Sequence, residues 1–200
     1  MGMEVQIFSR AQNKIMLYTR KGDAGTTKDF KSGLGKRKSK SSCQTETLGA
    51  LDELNSFLGL IKVKSAGMTW KVQGKSPAEI IHWIQNCLFS VQAETAGADK
   101  KVGQEKVNAM EEMIDEIEKE LPPIKTFFIS GGTELAALFD ISRTIARKAE
   151  RRAVAAGEKK EISLDPTTLA FLNRLSSLMY ALARLTNHKS GIKEVPPNYQ

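Results

Sequence analysis

The sequence is poor in the residues from which disulfide frameworks and metal centres are built. Its two cysteines, Cys43 and Cys87, are too few for a disulfide framework and lack the spacing of metal ligands. Its two histidines, His82 and His188, are far apart and show no metal-ligand pattern either. No Ser-His-Asp set and no Cys-x-x-Cys pair can be assembled. These absences exclude a disulfide scaffold, and they favour reduced thiols in a cytosol-like compartment.

Long apolar runs are also missing. No segment is long enough to span a membrane. The N-terminus has neither the apolar core of a signal peptide nor a myristoylation signal. We therefore expect no membrane association and a cytoplasmic location. The mitochondrial matrix is the alternative, if a presequence has been removed from the chain.

Acidic residues are outnumbered, with 23 Asp and Glu against 30 Lys and Arg, which gives a net charge of +7. A basic excess indicates an anionic partner, either nucleic acid or a small molecule that carries phosphate. Much of the positive charge lies between Lys28 and Lys40 and between Arg143 and Arg152. The chain has no zinc-finger spacing, aromatic RNA-binding signature or leucine-zipper basic region, so nothing beyond charge favours nucleic acid.

Helix formers are abundant and aromatic residues make up only 6% of the chain, a composition that favours helix over sheet. Apolar residues recur at helical spacing in five segments. The first segment runs from about Thr45 to Lys64, the second opens with the capping box Ser76-Pro77-Ala78-Glu79, the third stops at Pro122-Pro123, the fourth follows Gly131-Gly132-Thr133 and runs to about Ala156, and the fifth starts at Asp165-Pro166.

The pattern shows no convincing strand alternation. We therefore predict an all-α bundle of about five helices in one domain. Residues 15–190 are assigned to this domain, with a glycine-rich N-terminal loop at 18–42. Residues 1–14 are expected to form a flexible arm and 191–200 an irregular tail.

The segment from Tyr18 to Thr27 is the first candidate site. Glycine lets the backbone approach an anion closely, and successive amides with hydroxyls and cations form a phosphate cradle. A flexible basic loop is the alternative interpretation. The segment is not a Walker A loop, because Arg37 stands where Ser or Thr should follow Gly35-Lys36. The basic cluster Lys36, Arg37, Lys38 and Lys40 is either part of this cradle or a solvated charge run.

Three of the predicted helices carry polar stripes. The first has short polar residues with glycine, which suggests close approach by another helix, a subunit or a ligand. The fourth has aligned arginines suited to polyphosphate, although a salt-bridged surface face has the same pattern. The fifth has a polar face that also fits interhelical hydrogen bonding. The stripes are Asp52, Asn55, Ser56 and Gly59; Arg143, Arg147 and Arg151; and Asn173, Ser176, Ser177 and Tyr180.

Four segments together resemble one family, the PduO-type ATP:corrinoid adenosyltransferases. They are YTRKGDAGTT near the N-terminus, GALDELNSFLG on the first helix, FFISGGTELAA…SRTIARKAERR on the fourth and FLNRLSSLMYALAR on the fifth. The resemblance extends from about Ile15 to His188. It implies a five-helix bundle with ferritin-like up-and-down packing, assembled as a homotrimer with active sites between subunits.

The resemblance also implies substrates and site residues. The substrates are ATP with Mg²⁺, the metal being held through the phosphates, and cob(I)alamin, formed from cob(II)alamin. Asp52 and Arg143 match residues that pair across a subunit interface, Phe127 matches the aromatic residue under the corrin, and Ser177 faces the corrinoid. Arg147 matches a triphosphate contact. The implied ATP-binding set is Tyr18, Thr19, Arg20, Lys21, Gly22, Asp23, Gly25, Thr26, Thr27, Lys36, Lys40, Arg147, Glu150 and Asn173.

The expected reaction transfers the 5′-deoxyadenosyl group of ATP to cobalt. Co(I) is itself the nucleophile, so no protein base is required. A reductase and an adenosylcobalamin-dependent mutase are the expected partners. The chain departs from the family pattern at Ala24, often lysine, at Ser130, where the family has proline, and at Ser177, where it has aspartate. A corrinoid carrier with weak catalysis and a basic helical nucleic-acid-binding protein are the alternative functions.

Overall fold

A computed structural model describes residues 17–28 and 36–199. The predicted arm at 1–14 and part of the predicted loop at 18–42 lie outside these residues. The described residues form five helices: α1 (Cys43–Lys64), α2 (Pro77–Thr95), α3 (Gln104–Glu120), α4 (Glu134–Glu158) and α5 (Pro166–Lys189). Among them, no helix is both long and apolar enough to cross a membrane.

The helices begin where local capping chemistry predicts. Ser76 and Glu79 form the predicted capping box, in which each side chain accepts a hydrogen bond from the other residue's backbone N–H. Thr133 caps α4 by accepting from Ala136 N at 3.1 Å. Asp165 caps α5, and Pro166 follows as the first helical residue. These caps satisfy amides that would otherwise lack partners at the helix N-termini.

The order of the helices in the bundle follows from contacts between them. α4 packs between α1 and α5, α2 lies against α1, and α3 lies against α5. Lys148 of α4 pairs with Glu53 of α1, while Lys64 at the end of α1 pairs with Glu134 at the start of α4. α1 and α4 are therefore antiparallel, as the predicted up-and-down packing requires.

The core contains large apolar side chains on α1 and α5 and small alanines on α4. Leu54 and Leu58 of α1 and Phe171 of α5 are fully buried. Burial of one such side chain contributes about 1.5–3 kcal/mol. α4 instead presents a row of buried alanines, which allows its neighbours to approach closely: Ala146, Ala149, Ala153 and Ala156.

The structure corrects the prediction of an all-helical chain at one place. Two short strands, β1 (Thr26–Lys28) and β2 (Arg37–Ser39), pair antiparallel with Thr27 opposite Lys38. Strands of three residues are too short to show a period-two pattern in the sequence. The fold is therefore a five-helix bundle with a two-stranded sheet at the N-terminal end of α1.

Candidate active site

The N-terminal loop is tied to the two-stranded sheet by Arg37. Its guanidinium donates from Nε to Thr26 Oγ1 at 2.7 Å and from Nη2 to the Thr26 carbonyl, also at 2.7 Å. Nη2 additionally donates to the carbonyl of Lys21. The sequence pattern places Arg37 only in a basic cluster. In the structure it organises the loop, because one planar guanidinium bonds both the turn at Lys21 and strand β1 at Thr26.

Lys40 lies against the same loop. A Cβ atom on Gly22 would come within 3.0 Å of Lys40 Nζ, so the glycine makes room for this ammonium group. The Arg20 guanidinium lies 5.6 Å from the centroid of the Tyr18 ring. Arg20 has φ +59° and Gly25 has φ +73°, values typical of tight turns. The loop thus presents cations next to exposed backbone, as an anion cradle requires.

The predicted loop residues lie at the surface. Most are exposed, while Gly22, Thr26 and Thr27 are half-buried. The exposed members of the predicted set here are Tyr18, Thr19, Arg20, Lys21, Asp23, Gly25, Lys36 and Lys40.

A cavity of about 390 Å³ lies between the sheet and helices α1 and α2. Thr27 and Lys38 line it from the sheet, Asp52 from α1 and Gln92 from α2. The Gln92 Nε2 atom is buried without a hydrogen-bond partner among the described residues. Lys38 donates a hydrogen bond to Gln44 at the start of α1, which fixes the sheet against the bundle. We call this space the sheet cavity.

A larger cleft of about 750 Å³ opens beside α4 and α5. Residues 124–132 before α4 form one wall, α4 and α5 form another, and residues 192–195 of the tail form a third. Phe127 lines this cleft with 79% of its surface exposed. Ser177 of α5 also lines it and is exposed. An exposed aromatic ring beside apolar and polar walls is suited to a large, flat ligand.

Two of the predicted arginines reach the cleft from α4. Arg143 donates from Nε to Asp140 Oδ1 at 3.2 Å, and its guanidinium lies 6.0 Å from the centroid of the Tyr180 ring. Burial raises the pKa of Tyr180 above its ordinary value. Arg147 lies one turn further along α4 and is exposed. The cleft therefore combines an aromatic wall with cations on α4, a pairing that fits a ligand with both flat and anionic parts.

Glu150 and Asn173, both predicted at the ATP site, lie together outside the lining of the cleft. Asn173 Nδ2 donates to Glu150 Oε1 at 2.8 Å, and Asn173 Oδ1 accepts from Arg174 Nη1 at 2.7 Å. Arg174 continues this chain of contacts to Glu111 of α3. The network joins three helices one turn beyond Arg147.

The predicted site residues are thus divided between separate places within one chain. Thr27 and Asp52 line the sheet cavity, whereas Phe127, Arg143, Arg147 and Ser177 line the cleft. Inside the chain, the carboxylate bonded to Arg143 is Asp140 rather than Asp52. Pairing of Asp52 with Arg143 remains a prediction about a neighbouring subunit.

Comparison with known proteins assigns this arrangement to a family. A family model described as cobalamin adenosyltransferase matches residues 17–186, which include the N-terminal loop and most of the cleft-lining residues of α4 and α5. The chain belongs to the cobalamin adenosyltransferase family.

Relatives and solved structures agree with the assignment. The corrinoid adenosyltransferase of Bacillus subtilis is 39% identical over 183 residues, which cover 90% of this chain and 91% of that protein. The PduO corrinoid adenosyltransferase of Citrobacter freundii is 35% identical, and the match spans 87% of this chain but only 50% of that longer protein.

Among solved structures, a phenylalanine-to-histidine variant of the PduO-type ATP:corrinoid adenosyltransferase from Lactobacillus reuteri, complexed with cobalamin and ATP, superimposes with a TM-score of 0.78 and 28% identity. The match covers 92% of this chain and 97% of that one. An arginine-to-lysine variant from the same organism, complexed with ATP, gives a TM-score of 0.77, also at 28% identity, over 91% of this chain and 100% of that one.

Two residues of this adenosyltransferase family member were missed by sequence reasoning. Arg184 and Asn187 of α5 line the cleft and are buried, with exposed fractions of 5% and 9%. Both lie in a largely buried stretch at the end of α5, so the sequence pattern there predicts core positions and not site positions. The signal available in the sequence was the occurrence of two strongly polar residues within that apolar stretch.

The described residues do not supply a metal site of their own to this family member. Between 17–28 and 36–199, no group of three or more His, Cys, Asp or Glu side chains is placed to hold a metal ion. Mg²⁺ held through the phosphates of ATP remains the prediction, and no protein ligand is assigned to it.

Proposed function

We propose that this chain transfers the 5′-deoxyadenosyl group of ATP to the cobalt of cob(I)alamin or a related reduced corrinoid, and releases triphosphate. The observation that carries the proposal is the cleft, which is lined by the exposed ring of Phe127 and by Arg143 and Arg147 of α4. The relatives named above are corrinoid adenosyltransferases, and the Lactobacillus reuteri structure is complexed with cobalamin and ATP.

The spacing of two residues supports the assignment of roles. In the Lactobacillus reuteri variants, the substituted phenylalanine and the substituted arginine are 20 positions apart. Phe127 and Arg147 have the same spacing here. We assign Phe127 to the corrinoid and Arg147 to the triphosphate of ATP.

The chemistry places few demands on acid–base groups. The Co(I) electron pair forms the Co–C5′ bond while the C5′–O bond breaks, and the bonding electrons leave with triphosphate. The protein must align cobalt with C5′ and stabilise the charge that develops on the leaving oxygen. Arg147 and the loop cations Lys36 and Lys40 are suited to the second task, because charge-assisted hydrogen bonds to phosphate are strong.

Phe127 is suited to a different task, because its ring is exposed in the cleft rather than packed in the core. An apolar ring against the lower face of the corrin would exclude a ligand from the lower axial position of cobalt. Four-coordinate Co(II) is more easily reduced to Co(I), so loss of that ligand would help to generate the nucleophile.

We further propose that the active site is completed between copies of the chain in a homotrimer. Within one chain, Thr27 and Lys38 of the N-terminal loop line the sheet cavity, whereas Arg143 and Arg147 line the cleft. ATP held by the N-terminal loop would therefore meet the cleft of a neighbouring subunit. Asp52, which is exposed beside the sheet cavity, would then pair with Arg143 across the contact.

The test is direct synthesis of the product. Purified protein is mixed with Mg-ATP and chemically generated cob(I)alamin, and the visible spectrum is followed for adenosylcobalamin. We expect its formation to depend on both protein and ATP. A spectrum that does not change, or that changes equally without ATP, contradicts the proposal. Tight, salt-dependent binding to duplex DNA without ATP specificity would favour a nucleic-acid-binding protein instead.

A further inference from the structure

The loop that carries Phe127 is held at both ends by one turn of α5. Residues 122–133, which we call the Phe127 loop, contain no helix or strand. At the start of the loop, the Pro122 carbonyl accepts a hydrogen bond from Arg184 Nη2 at 3.0 Å. At its end, Asn187 Nδ2 donates to the Gly131 carbonyl at 2.8 Å. Arg184 and Asn187 are three residues apart, so both side chains lie on one face of the helix.

The contact at the start of the loop is part of a buried ion pair. Arg184 donates from Nε and Nη2 to the two carboxylate oxygens of Glu194, at 2.7 and 2.8 Å. Its guanidinium also lies 5.3 Å from the centroid of the Phe128 ring. Arg184 is therefore joined to the tail, to the loop backbone and to the neighbour of Phe127. A bidentate pair with this much burial holds its geometry well.

The contact at the end of the loop leaves little freedom to the backbone. Asn187 Oδ1 accepts a hydrogen bond from Thr133 N at 3.0 Å, while Nδ2 of the same amide donates to the Gly131 carbonyl. Gly132 has φ +96°, and a Cβ atom there would lie 2.3 Å from Asn187 Oδ1. A side chain at this position is thus excluded both by backbone conformation and by space. The turn between the loop and α4 is fixed by this close approach.

Phe127 itself has little packing to hold it. The middle of the loop is joined to the tail by one backbone hydrogen bond, from Ile129 N to Val195 O at 2.9 Å. With 79% of its surface exposed, the Phe127 ring depends on the loop backbone for its position. We propose that Arg184 and Asn187 are positioning residues, which hold the two ends of the loop so that Phe127 meets the corrinoid in the cleft. This inference rests on the proposed function.

Steady-state kinetics of Asn187→Ala provide the first test, with His188→Ala as the control. His188 is the next residue of α5 and is exposed. For Asn187→Ala we expect kcat/KM for the corrinoid to fall at least about fivefold, while the KM for ATP stays within about twofold. The control should match wild type. An equal change in both KM values would indicate general loosening of the bundle and would overturn the positioning role.

A double-mutant cycle asks whether Asn187 acts through Phe127. In the Phe127→Ala background no ring remains to be positioned. We therefore expect Asn187→Ala to change kcat/KM for the corrinoid by less than about twofold there. The same fivefold loss in both backgrounds would contradict the proposal, because the effect of Asn187 would then be independent of the ring.

Glu194→Gln provides a second variant in case Asn187→Ala does not fold. It keeps the size of the side chain and removes the charge that faces Arg184. Hydrogen exchange of the amides at 124–130 is measured alongside kinetics. We expect faster exchange in this variant and in Asn187→Ala than in His188→Ala. Unchanged exchange would contradict the proposal that Arg184 and Asn187 hold the two ends of the loop. If the wild-type protein makes no adenosylcobalamin, the proposed function fails, while hydrogen exchange still decides whether the two residues hold the loop.

Discussion

Asn173 Nδ2 donates a hydrogen bond of 2.8 Å to Glu150 Oε1 and so joins α5 to α4 next to the helical turn of Arg147. If the carboxylate serves to hold the amide, Glu150→Gln should retain function, because glutamine keeps an acceptor oxygen. Glu150→Ala should raise the KM for ATP about fivefold, equivalent to ~1 kcal/mol for one lost hydrogen bond. Glu158→Ala, at the exposed end of the same helix, is the control. An equal rise in the KM for ATP in Glu150→Gln and Glu150→Ala would show that the negative charge, not the hydrogen bond, is needed.

Arg147 should have a measurable effect on ATP. Loss of one charge-assisted contact to phosphate corresponds to roughly tenfold in kcat/KM, or ~1.4 kcal/mol, so Arg147→Ala should raise the KM for ATP or lower kcat by about this factor. Lys40→Ala should act in the same direction and more weakly, since a lysine makes a point-charge contact. Lys159→Ala, which removes an exposed cation just after α4 and outside the arginine stripe, is the control. Wild-type kinetics for Arg147→Ala would indicate that the arginine stripe of α4 is a solvated surface face and does not bind ATP.

Asp52 should be important for assembly rather than for the fold of one chain. Asp52→Ala would leave the partly buried Arg143 without its partner in a neighbouring subunit, which typically costs a few kcal/mol. Sedimentation should then show a weakened trimer, or kinetics should show impaired activity. The control is Glu53→Ala, which removes an ion pair within the chain to Lys148 and should sediment as wild type. An Asp52→Ala protein with unchanged mass and activity would remove this pair from the proposed interface.

Loss of the Phe127 ring should impair the reduction of Co(II) more than the transfer of the adenosyl group to Co(I). Phe127→Ala should fold and bind ATP nearly as wild type, because the ring is exposed. It should lose the spectral signature of four-coordinate cob(II)alamin and slow adenosylation sharply when the assay starts from Co(II). With Co(I) supplied directly the defect should be smaller. Phe89→Ala removes an exposed aromatic ring from α2 and is the control. Equal defects from both starting states would mean that Phe127 only shapes the cleft.

Asp165 should make stability depend on pH in the acid range. Hydrogen bonds from the backbone and side chain of Thr167, followed by the contact with Lys101, lower its pKa from 3.8 to about 2. Because the folded pKa lies below the unfolded value, this stabilisation is present above about pH 4 and is lost as pH falls toward 2. Thermal melts of wild type and Asp165→Asn should therefore differ most near neutral pH and converge below pH 4. Asp99→Asn is the control, and a pH-independent difference in melting temperature would contradict the prediction.

Helix positions could be predicted from the sequence because their determinants are local. The capping box at Ser76 and the Asp165-Pro166 start involve residues within one turn, and the structure confirms both. The strands β1 and β2 could not be predicted, because their pairing joins segments on either side of residues 29–35 and three residues carry no visible period. The role of Arg37 was missed for the same reason, since its partners lie 11 and 16 residues away.

The sequence by itself determined the five helices, the family and the identities of the charged and aromatic residues suited to its chemistry. Only the tertiary structure decided which of these residues share a space: Thr27, Lys38 and Asp52 at the sheet cavity, Phe127 and Arg147 at the cleft. It also placed Asn187 against Thr133, 54 residues away in the chain. The physical reason is that helix capping and periodicity are fixed by neighbours along the chain, whereas cavities and clamps arise from packing between distant helices, which no local pattern encodes.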